Sequence, residues 1–216
     1  MNKVKKIIKI NNNEKSLKDY FSEFEELSNC KRIWISCKDG EKNIDVNLKI
    51  PVNFFIHLIG IQKLPMFKKI KNEQLINKIK KEKITFKTIS KSIKSLKKKK
   101  KNMNEIRNVN SKIKGLKNIN SFEFKKIFKD FNYVSFNKNI IKKIFPFTSC
   151  DLCVIKKTKN DEFTLFLCQK MKKNYKLKNF CFIKSFIYLN EKNEEKIGEI
   201  NNMKLYKILS FKKISK

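Results

Sequence analysis

A strictly alternating segment places the firmest constraint on what this chain can fold into. Over residues 43–50 polar and apolar side chains alternate, and the apolar positions are Ile44, Val46, Leu48 and Ile50. A period of two predicts a β-strand with one buried face. The run 32–37 also has the composition of a strand, and the turn-forming residues 38–41 between the two runs predict a hairpin. Pro51 should end the pairing, and a short apolar helix is expected over 52–63.

The remaining segments divide into helical and strand-like patterns. Apolar residues at helical spacing predict helices near 14–29, 71–82, 86–96, 104–117 and 121–131. Ser121 is the expected N-cap of the last of these helices. Strand-like runs lie at 132–137, 150–158, 163–170, 180–189 and 204–214. This order predicts an α+β fold, in which an N-terminal helix and hairpin and a Lys-rich helical middle precede a C-terminal, mostly antiparallel sheet. We expect a single domain over 1–216, with 67–117 as a Lys-rich helical insertion or arm.

The charge balance indicates what kind of partner this chain binds. The sequence has 53 basic residues against 20 acidic ones, which gives a formal net charge of +33. Codon usage in an AT-rich genome explains why Lys replaces nearly all Arg, but it does not explain the scarcity of carboxylates. Such self-repulsion destabilises a fold unless a polyanion offsets it. We therefore expect a nucleic acid as partner, with RNA favoured. An acidic protein surface, or a charge without functional meaning, are the alternatives.

The basic middle segment contains five consecutive candidate nucleic-acid-binding residues: Lys97, Lys98, Lys99, Lys100 and Lys101. Such a run is too repulsive to be buried, so it is either a solvated loop or a segment that follows phosphates. The whole segment 67–117 could also act as a general single-strand binder. Aromatic residues are scattered among the lysines, namely Trp34, Tyr133, Phe136, Tyr175, Tyr188 and Tyr206. Some of these can stack on unpaired bases, although most are expected in the core.

Several classes of protein and site lack their sequence signatures here. No stretch approaches the ~20 apolar residues of a membrane span, and residues 1–13 lack the apolar core and cleavage site of a secretory signal. We therefore expect a cytoplasmic protein whose six Cys stay reduced. The sequence has no Gly-rich phosphate loop, paired acidic motif or HExxH, which argues against nucleotide hydrolases, two-metal nucleases and zincins. No cofactor is expected.

Four cysteines raise the question of a metal site. Cys150 and Cys153 have metal-ligand spacing, and Cys168 and Cys181 could complete a four-thiolate zinc site. The second pair is not CxxC, however, and positions three apart in a strand face opposite sides. Cys is also a good buried strand residue. The favoured interpretation is buried thiols without metal, and metal binding stays open at this point.

Three residues are candidates for chemistry. His57 is the only histidine and lies in the apolar run 54–61. An imidazole can take up and return a proton near neutral pH, although a lone histidine can also simply be packed in a helix. Lys184 and Ser185 interrupt an apolar strand, where a cation and a hydroxyl could hold a phosphate. The alternative there is a strand end with a solvated lysine.

The order of these segments resembles a family of phage-type nucleases. The residues that carry the resemblance are Phe55-Ile56-His57-Leu58-Ile59-Gly60-Ile61, with support from Ile183-Lys184-Ser185-Phe186 and the closing strand. The family is that of the barnase, EndoU, colicin and RelE-like (BECR) fold marked by an F-x-H-L-x-G-[LI] helix. The resemblance covers most of the chain in order, but only the histidine helix is specific. It implies a BECR-like α+β ribonuclease domain, encoded by a phage or mobile element and acting as a toxin or effector.

The resemblance also implies a mechanism. RNA would be cleaved without a metal, with the ribose 2′-hydroxyl as the internal nucleophile. His57 would be the general base or acid, Lys184 would stabilise the phosphate, and Ser185 would donate a hydrogen bond. The usual arginine partner has no counterpart, because neither Arg32 nor Arg107 lies in a matched segment. The competing hypothesis is a non-catalytic, basic nucleic-acid-binding or inhibitor protein that blocks an RNA-guided nuclease or another nucleoprotein. An antitoxin is a further possible partner of the nuclease.

Overall fold

The structure of this chain is a computed structural model that describes residues 15–98, 103–146, 148–158, 160, 162–171 and 180–214. Its helices, in chain order, are α1 (Leu17–Ser28), α2 (Phe54–Ile59), α3 (Pro65–Lys68), α4 (Asn72–Lys80), α5 (Phe86–Lys98), α6 (Met103–Asn118), α7 (Phe124–Asp130), α8 (Lys138–Ile144) and α9 (Glu194–Asn201). Short 3₁₀ turns lie at Ile61–Lys63 and Glu191–Asn193. Within the described part of the chain, no helix combines the length and the apolar character needed to cross a membrane.

The strands form one closed sheet. They are β1 (Arg32–Asp39), β2 (Lys42–Lys49), β3 (Tyr133–Ser135), β4 (Leu152–Lys157), β5 (Phe163–Lys170), β6 (Phe180–Leu189) and β7 (Tyr206–Ile214). The order around the sheet is β1-β2-β6-β5-β4-β3-β7, and β7 pairs again with β1. Neighbours are antiparallel except β2 and β6, which run parallel. The described strands therefore make a seven-stranded barrel.

The closed barrel shows that the predicted fold class is wrong. An open, BECR-like α+β sheet would keep the N-terminal hairpin separate from a C-terminal sheet. Instead, β1 lies beside β7 with Ile35 opposite Phe211, and β2 lies beside β6 with Leu48 opposite Cys181. The hairpin thus closes the gap between the two edges of the later strands. Closure pairs backbone groups that an open sheet leaves exposed at its edges.

Two apolar clusters cover the two faces of the sheet. On β5, Phe166 belongs to the main cluster, which also contains the buried residues of α1, α2 and α4–α6. The alternate positions Leu165 and Leu167 face the other way, into a cluster with Ile141 of α8 and Ile200 of α9. We call this second group the α8–α9 cluster. Because both faces are buried, β5 is apolar almost throughout rather than alternating.

The helices of the Lys-rich middle contribute to the main cluster. Ile79 of α4, Ile89 of α5, and Val109 and Leu116 of α6 are fully buried there. Lysines occupy mostly the opposite, solvated sides of α4 and α5, as expected for amphipathic helices. This packing fixes α6 against the barrel and so prepares one wall of the site described next.

Candidate functional site

A cleft of about 820 Å³ contains all three residues predicted to carry chemistry. His57 on α2 and Lys184 and Ser185 on β6 line it together, although they are far apart in the sequence. The helix α6 packs against both α2 and β6 and forms a further wall. The structure therefore brings the predicted set into one place.

The polar face of α6 supplies a row of cleft residues. These recur at steps of three and four along the helix and are Asn104, Arg107, Asn108, Ser111 and Lys112. Such positions share one side of an α-helix, and the other side carries the buried Ile106 and Val109. The hydroxyl of Ser111 donates to the carbonyl oxygen of Tyr188 at 3.1 Å. This bond connects the helix directly to β6.

A glycine allows α6 to approach β6 closely. A Cβ placed on Gly115 would lie 2.7 Å from Cβ of Tyr188 and 3.0 Å from Cε1 of Phe186. Contacts this short do not occur between ordinary side chains. The absence of a side chain at Gly115 therefore sets the width of the cleft between helix and strand.

A β-bulge lies at the two candidate residues of β6. Leu167 of β5 lies opposite Ser185, whereas Cys168 lies opposite Ile183, so Lys184 has no partner in the register. In a regular strand neighbouring side chains point to opposite faces. A bulge changes side-chain directions locally, and the cleft is lined here by the whole run 184–188.

His57 lies at the exposed side of α2 with one polar neighbour at its ring. Its Nδ1 is 2.7 Å from Nε2 of Gln62. In one orientation the side-chain amide of Gln62 donates to Nδ1, and the imidazole proton is then on Nε2. In the flipped orientation the amide oxygen accepts from Nδ1–H, and Nε2 then has a free lone pair. Gln62 can thus match either neutral tautomer of His57, and the second one is a proton acceptor.

Lys112 holds the helix that carries His57. Its Nζ donates to the carbonyl oxygen of His57 at 2.5 Å. A Cβ placed on Gly60 would lie 2.8 Å from Cδ of Lys112. Gly60 also ends α2 at φ 71°, a conformation that favours glycine. Burial, reinforced by the charge of Lys63, lowers the pKa of Lys112 to about 8. Burial and then the charge of Lys112 also lower the pKa of His57.

The cleft is strongly positive, although one of its lysines, Lys143, pairs with Glu199 outside the lining. Six cations line it among the described residues: Lys63, Arg107, Lys112, Lys143, Lys184 and Lys196. The same described lining includes no Asp or Glu. A concave site with charges of one sign focuses its potential on an oppositely charged ligand. The chemistry of this lining therefore suits a polyanion.

A second cavity of about 400 Å³ continues the cleft. It shares Gln62, Lys63, Asn104 and Asn108 with the first and adds Lys68 and Glu105. Since Gln62 touches the ring of His57, the cavity begins beside the histidine. The site is thus a groove that extends past His57, as a polymer requires.

Comparisons with protein-family models, curated proteins and solved structures found no match.

The predicted lysine run lies apart from the cleft as far as the structure describes it. Lys97 and Lys98 belong to the last turn of α5, and the side chain of Lys97 is exposed. Lys97 is not among the residues that line the cleft. Lys99, Lys100 and Lys101 lie outside the described residues.

The four cysteines considered for zinc do not converge. Cys150 and Cys153 belong to the α8–α9 cluster, whereas Cys168 and Cys181 belong to the main cluster on the other face of the sheet. Burial raises the pKa of Cys153 to about 12, which favours the thiol over the thiolate that zinc needs. Among the described residues, no three His, Cys, Asp or Glu side chains are placed to hold a metal ion.

Arg107 and Lys112 are the site residues that sequence reasoning missed. Both lie on the polar face of a helix that was predicted over 104–117, so their common orientation was available from the spacing. What the sequence did not supply is the surface that this face meets. Because lysines are abundant throughout this sequence, a basic helix face does not by itself indicate a functional site.

The environment of His57 predicts a specific titration. The single histidine should titrate below its ordinary pKa of 6.5. Replacing Lys112 with Met removes a positive charge near the ring while keeping the stem, and should raise the pKa of His57. NMR of this lone imidazole measures the value directly. Lys97→Met is the matched control, since it removes an exposed charge outside the cleft, and an equal shift in both variants would contradict the local effect.

Proposed function

We propose that the groove binds single-stranded RNA and cleaves it without a metal ion, by attack of the ribose 2′-hydroxyl on the adjacent phosphodiester. One observation supports this above all: His57, Lys184 and Ser185 share a cationic cleft whose described lining has no carboxylate. The activity is the one implied by the resemblance of residues 55–61 to phage-type nucleases. A toxin or effector encoded by a phage or mobile element is the corresponding biological role.

Each residue has a defined part in this reaction. Neutral His57 takes the proton of the 2′-hydroxyl through Nε2 when Gln62 accepts from Nδ1–H. Lys184 and Arg107 neutralise the charge that develops on the phosphate oxygens, and Ser185 donates a hydrogen bond to one of them. The 5′-oxygen leaves with a proton from a lysine ammonium, for which Lys112 is suited because its pKa is lowered to about 8.

The donor set of the cleft also favours a mechanism that uses protein cations. Mg²⁺ in nucleases is held by carboxylate oxygens, and the described lining offers ammonium, guanidinium, amide and hydroxyl groups instead. Those groups are hydrogen-bond donors to phosphate. The 2′-hydroxyl as nucleophile further makes the reaction specific for RNA over DNA.

Cleavage in the presence of a chelator is the direct test. Wild-type protein in EDTA should convert RNA to fragments that end in a 2′,3′-cyclic phosphate and begin with a 5′-hydroxyl, because the attacking oxygen comes from the same ribose. The matched DNA oligomer, which lacks that oxygen, should remain intact. RNA that stays intact after long incubation would overturn the proposed activity.

A specific observation favours a second function, namely RNA binding without cleavage. The imidazole of His57 has the neutral Gln62 as its hydrogen-bond partner, and no carboxylate of the described lining can stabilise an imidazolium. A protein with such a basic groove could bind the RNA of an RNA-guided nuclease or of another nucleoprotein, or block its RNA channel. It would then act as an inhibitor rather than as an enzyme.

Both functions predict a steep dependence of RNA binding on salt. Each phosphate contact on a single strand contributes about −0.7 to the slope of log affinity against log salt. If all six lining cations of the described cleft contact phosphates, the slope should be about −4. Fluorescence anisotropy of a labelled RNA between about 50 and 200 mM salt should show a loss of roughly 10²–10³-fold. A flat profile would contradict phosphate binding by this groove.

A further inference from the structure

The outer face of the barrel around Trp34 carries an arrangement that the cleft does not use. The inward residues of these strands, among them Ile33, Leu48 and Ile183, enclose a small internal cavity. Side chains alternate along a strand, so Trp34 of β1 and Phe182 of β6 lie on the outside. Both rings are half-buried. Of their neighbours, Lys212 on β7 is exposed and Asn47 on β2 is buried.

The strand register places these outer residues in two rows. One row runs across four strands as Lys212, Trp34, Asn47 and Phe180. The adjacent row contains Ile214 beside Arg32 and Lys49 beside Phe182. Neighbouring strands are about 4.8 Å apart, so Trp34 and the β6 aromatics are separated by two strand spacings. That distance, about 10 Å for Phe180 and more for Phe182 in the adjacent row, suits bases that are not directly adjacent in an extended single strand.

The two rings of this face are half-buried and lie outside the apolar core. Trp34 and Phe182 are only partly buried, and within the described chain they belong to neither apolar cluster. A lysine lies over each of them: Lys212 Nζ is 5.2 Å from the Trp34 ring, and Lys184 Nζ is 5.0 Å from the Phe182 ring. Aromatic rings beside cations form the usual stacking surface for unpaired bases.

The charge of the face matches a nucleic acid and leads into the cleft. In the described strands the two rows contain the cations Arg32, Lys49 and Lys212 and no carboxylate. The nearest acidic residue on the same face is Asp45, which lies in the next row toward the hairpin turn. Lys184 connects the two regions, because it covers Phe182 and also lines the cleft of His57. A strand leaving the cleft would therefore meet these rings next.

We propose that this outer face of β7, β1, β2 and β6 is a second nucleic-acid subsite, on which unpaired bases stack against Trp34 and Phe182 while Arg32 and Lys212 follow the phosphates; the ammonium of Lys49 donates to the carbonyl oxygen of Cys30 and adds its charge to the face. We call it the Trp34 platform. The inference shares with the proposed function the assumption that the ligand is a single-stranded nucleic acid, but it does not require cleavage. Since every base has a π-face, the platform selects unpaired strands and tolerates any sequence.

The only tryptophan of the chain reports on this platform directly. Titration with an oligodeoxythymidylate of about 12 nucleotides, which cannot react through a 2′-hydroxyl, should quench the fluorescence of Trp34. An abasic oligomer with the same number of phosphates should bind through charge but quench little. Equal quenching by the two, or none by either, would overturn base stacking on Trp34.

Variants test the same point without relying on Trp34 as the reporter. Measured by anisotropy, Trp34→Leu and Phe182→Leu should each weaken binding of the thymidylate oligomer by about ten-fold and leave binding of the abasic one nearly unchanged. Trp34→Phe, which keeps a ring, should lose less. Lys212→Ala should weaken binding more than Lys204→Ala. Lys204 is the matched control, because it also lies over an aromatic ring, that of Tyr206, but outside the platform. Equal losses for both oligomers in the ring variants would also overturn the platform.

These outcomes separate the platform from the activity of the cleft. Quenching by the thymidylate oligomer together with intact RNA in the chelator assay would support the platform and overturn the nuclease. Cleavage of RNA together with equal quenching by the two oligomers would support the nuclease and overturn the platform.

Discussion

Replacing His57 with alanine should lower the rate of RNA cleavage by about 10²–10⁴-fold, the usual contribution of general acid–base catalysis. The cations of the cleft remain in this variant, so binding of RNA should stay close to that of the wild type. The rate is measured by following a labelled RNA under single-turnover conditions in EDTA. Because burial lowers the pKa of His57, the wild-type rate should hold near neutral pH and fall as the pH drops through this lowered pKa, where the protonated ring can no longer accept a proton. The rate should fall again as the pH rises through the pKa of Lys112, about 8, because the ammonium that protonates the 5′-oxygen is then lost.

Two controls separate catalysis from folding and binding. His57→Gln retains a polar side chain that cannot take up a proton, and should be as inactive as His57→Ala. Since the side chain of His57 is exposed, both variants should unfold at the temperature of the wild type. Undiminished cutting by either variant would show that another group is the base.

The geometry gives a physical reason for the pattern of the His57 segment. Phe55 and Leu58 are fully buried in the main cluster, whereas His57 lies between them on the exposed side of the helix. Gly60 then takes up a left-handed conformation and admits the stem of Lys112. The pattern F-x-H-L-x-G thus combines two anchors, one outward imidazole and a glycine that leaves room for the lysine. It explains how a very short helix can hold a functional group in a fixed position.

Local patterns predicted the elements of this fold much better than their arrangement. The hairpin of β1 and β2, the helix α1 and the three helices of the Lys-rich middle all lie close to their predicted bounds. The N-cap expected at Ser121 is wrong: Glu123 is the N-cap, and Ser121 instead donates to the carboxylate of Glu23. The parallel pairing of β2 with β6 and the contact of β1 with β7 were not predictable, since alternation defines a strand's faces but not its distant neighbours.

The same limit explains what was and was not predicted at the site. His57 could be singled out as a unique residue in an apolar segment, and Lys184 and Ser185 as polar residues in an apolar strand. The bulge at these two residues depends on the register with Leu167 and Cys168, which the sequence does not specify. Arg107 joins them only because Gly115 lets α6 approach β6, a long-range contact without a local signature.

Substituting Gly115 with alanine should test this arrangement and strongly destabilise the fold. The new methyl group would lie 2.7 Å from Cβ of Tyr188, an atom fixed to the backbone of β6 that cannot swing aside. Overpacking of a core costs about 3 kcal/mol at the upper end of its usual range. The higher helix propensity of alanine stabilises the helix by about 1 kcal/mol. The free energy of unfolding should therefore fall by about 2 kcal/mol, seen in chemical denaturation and as a loss of roughly 4–8 °C in Tm.

A matched substitution elsewhere should have the opposite sign. Gly198 lies inside α9, and a Cβ there would meet nothing within 4 Å, so Gly198→Ala should stabilise the protein by about 0.5–1 kcal/mol through helix propensity alone. In Gly115→Ala, α6 must move away from β6, which displaces Arg107 and Lys112 relative to Lys184. RNA affinity should therefore drop in Gly115→Ala and stay constant in Gly198→Ala. If both variants were stabilised equally, α6 would not pack on β6 through Gly115, and the cleft would lose the wall that supplies Asn104, Arg107, Asn108, Ser111 and Lys112.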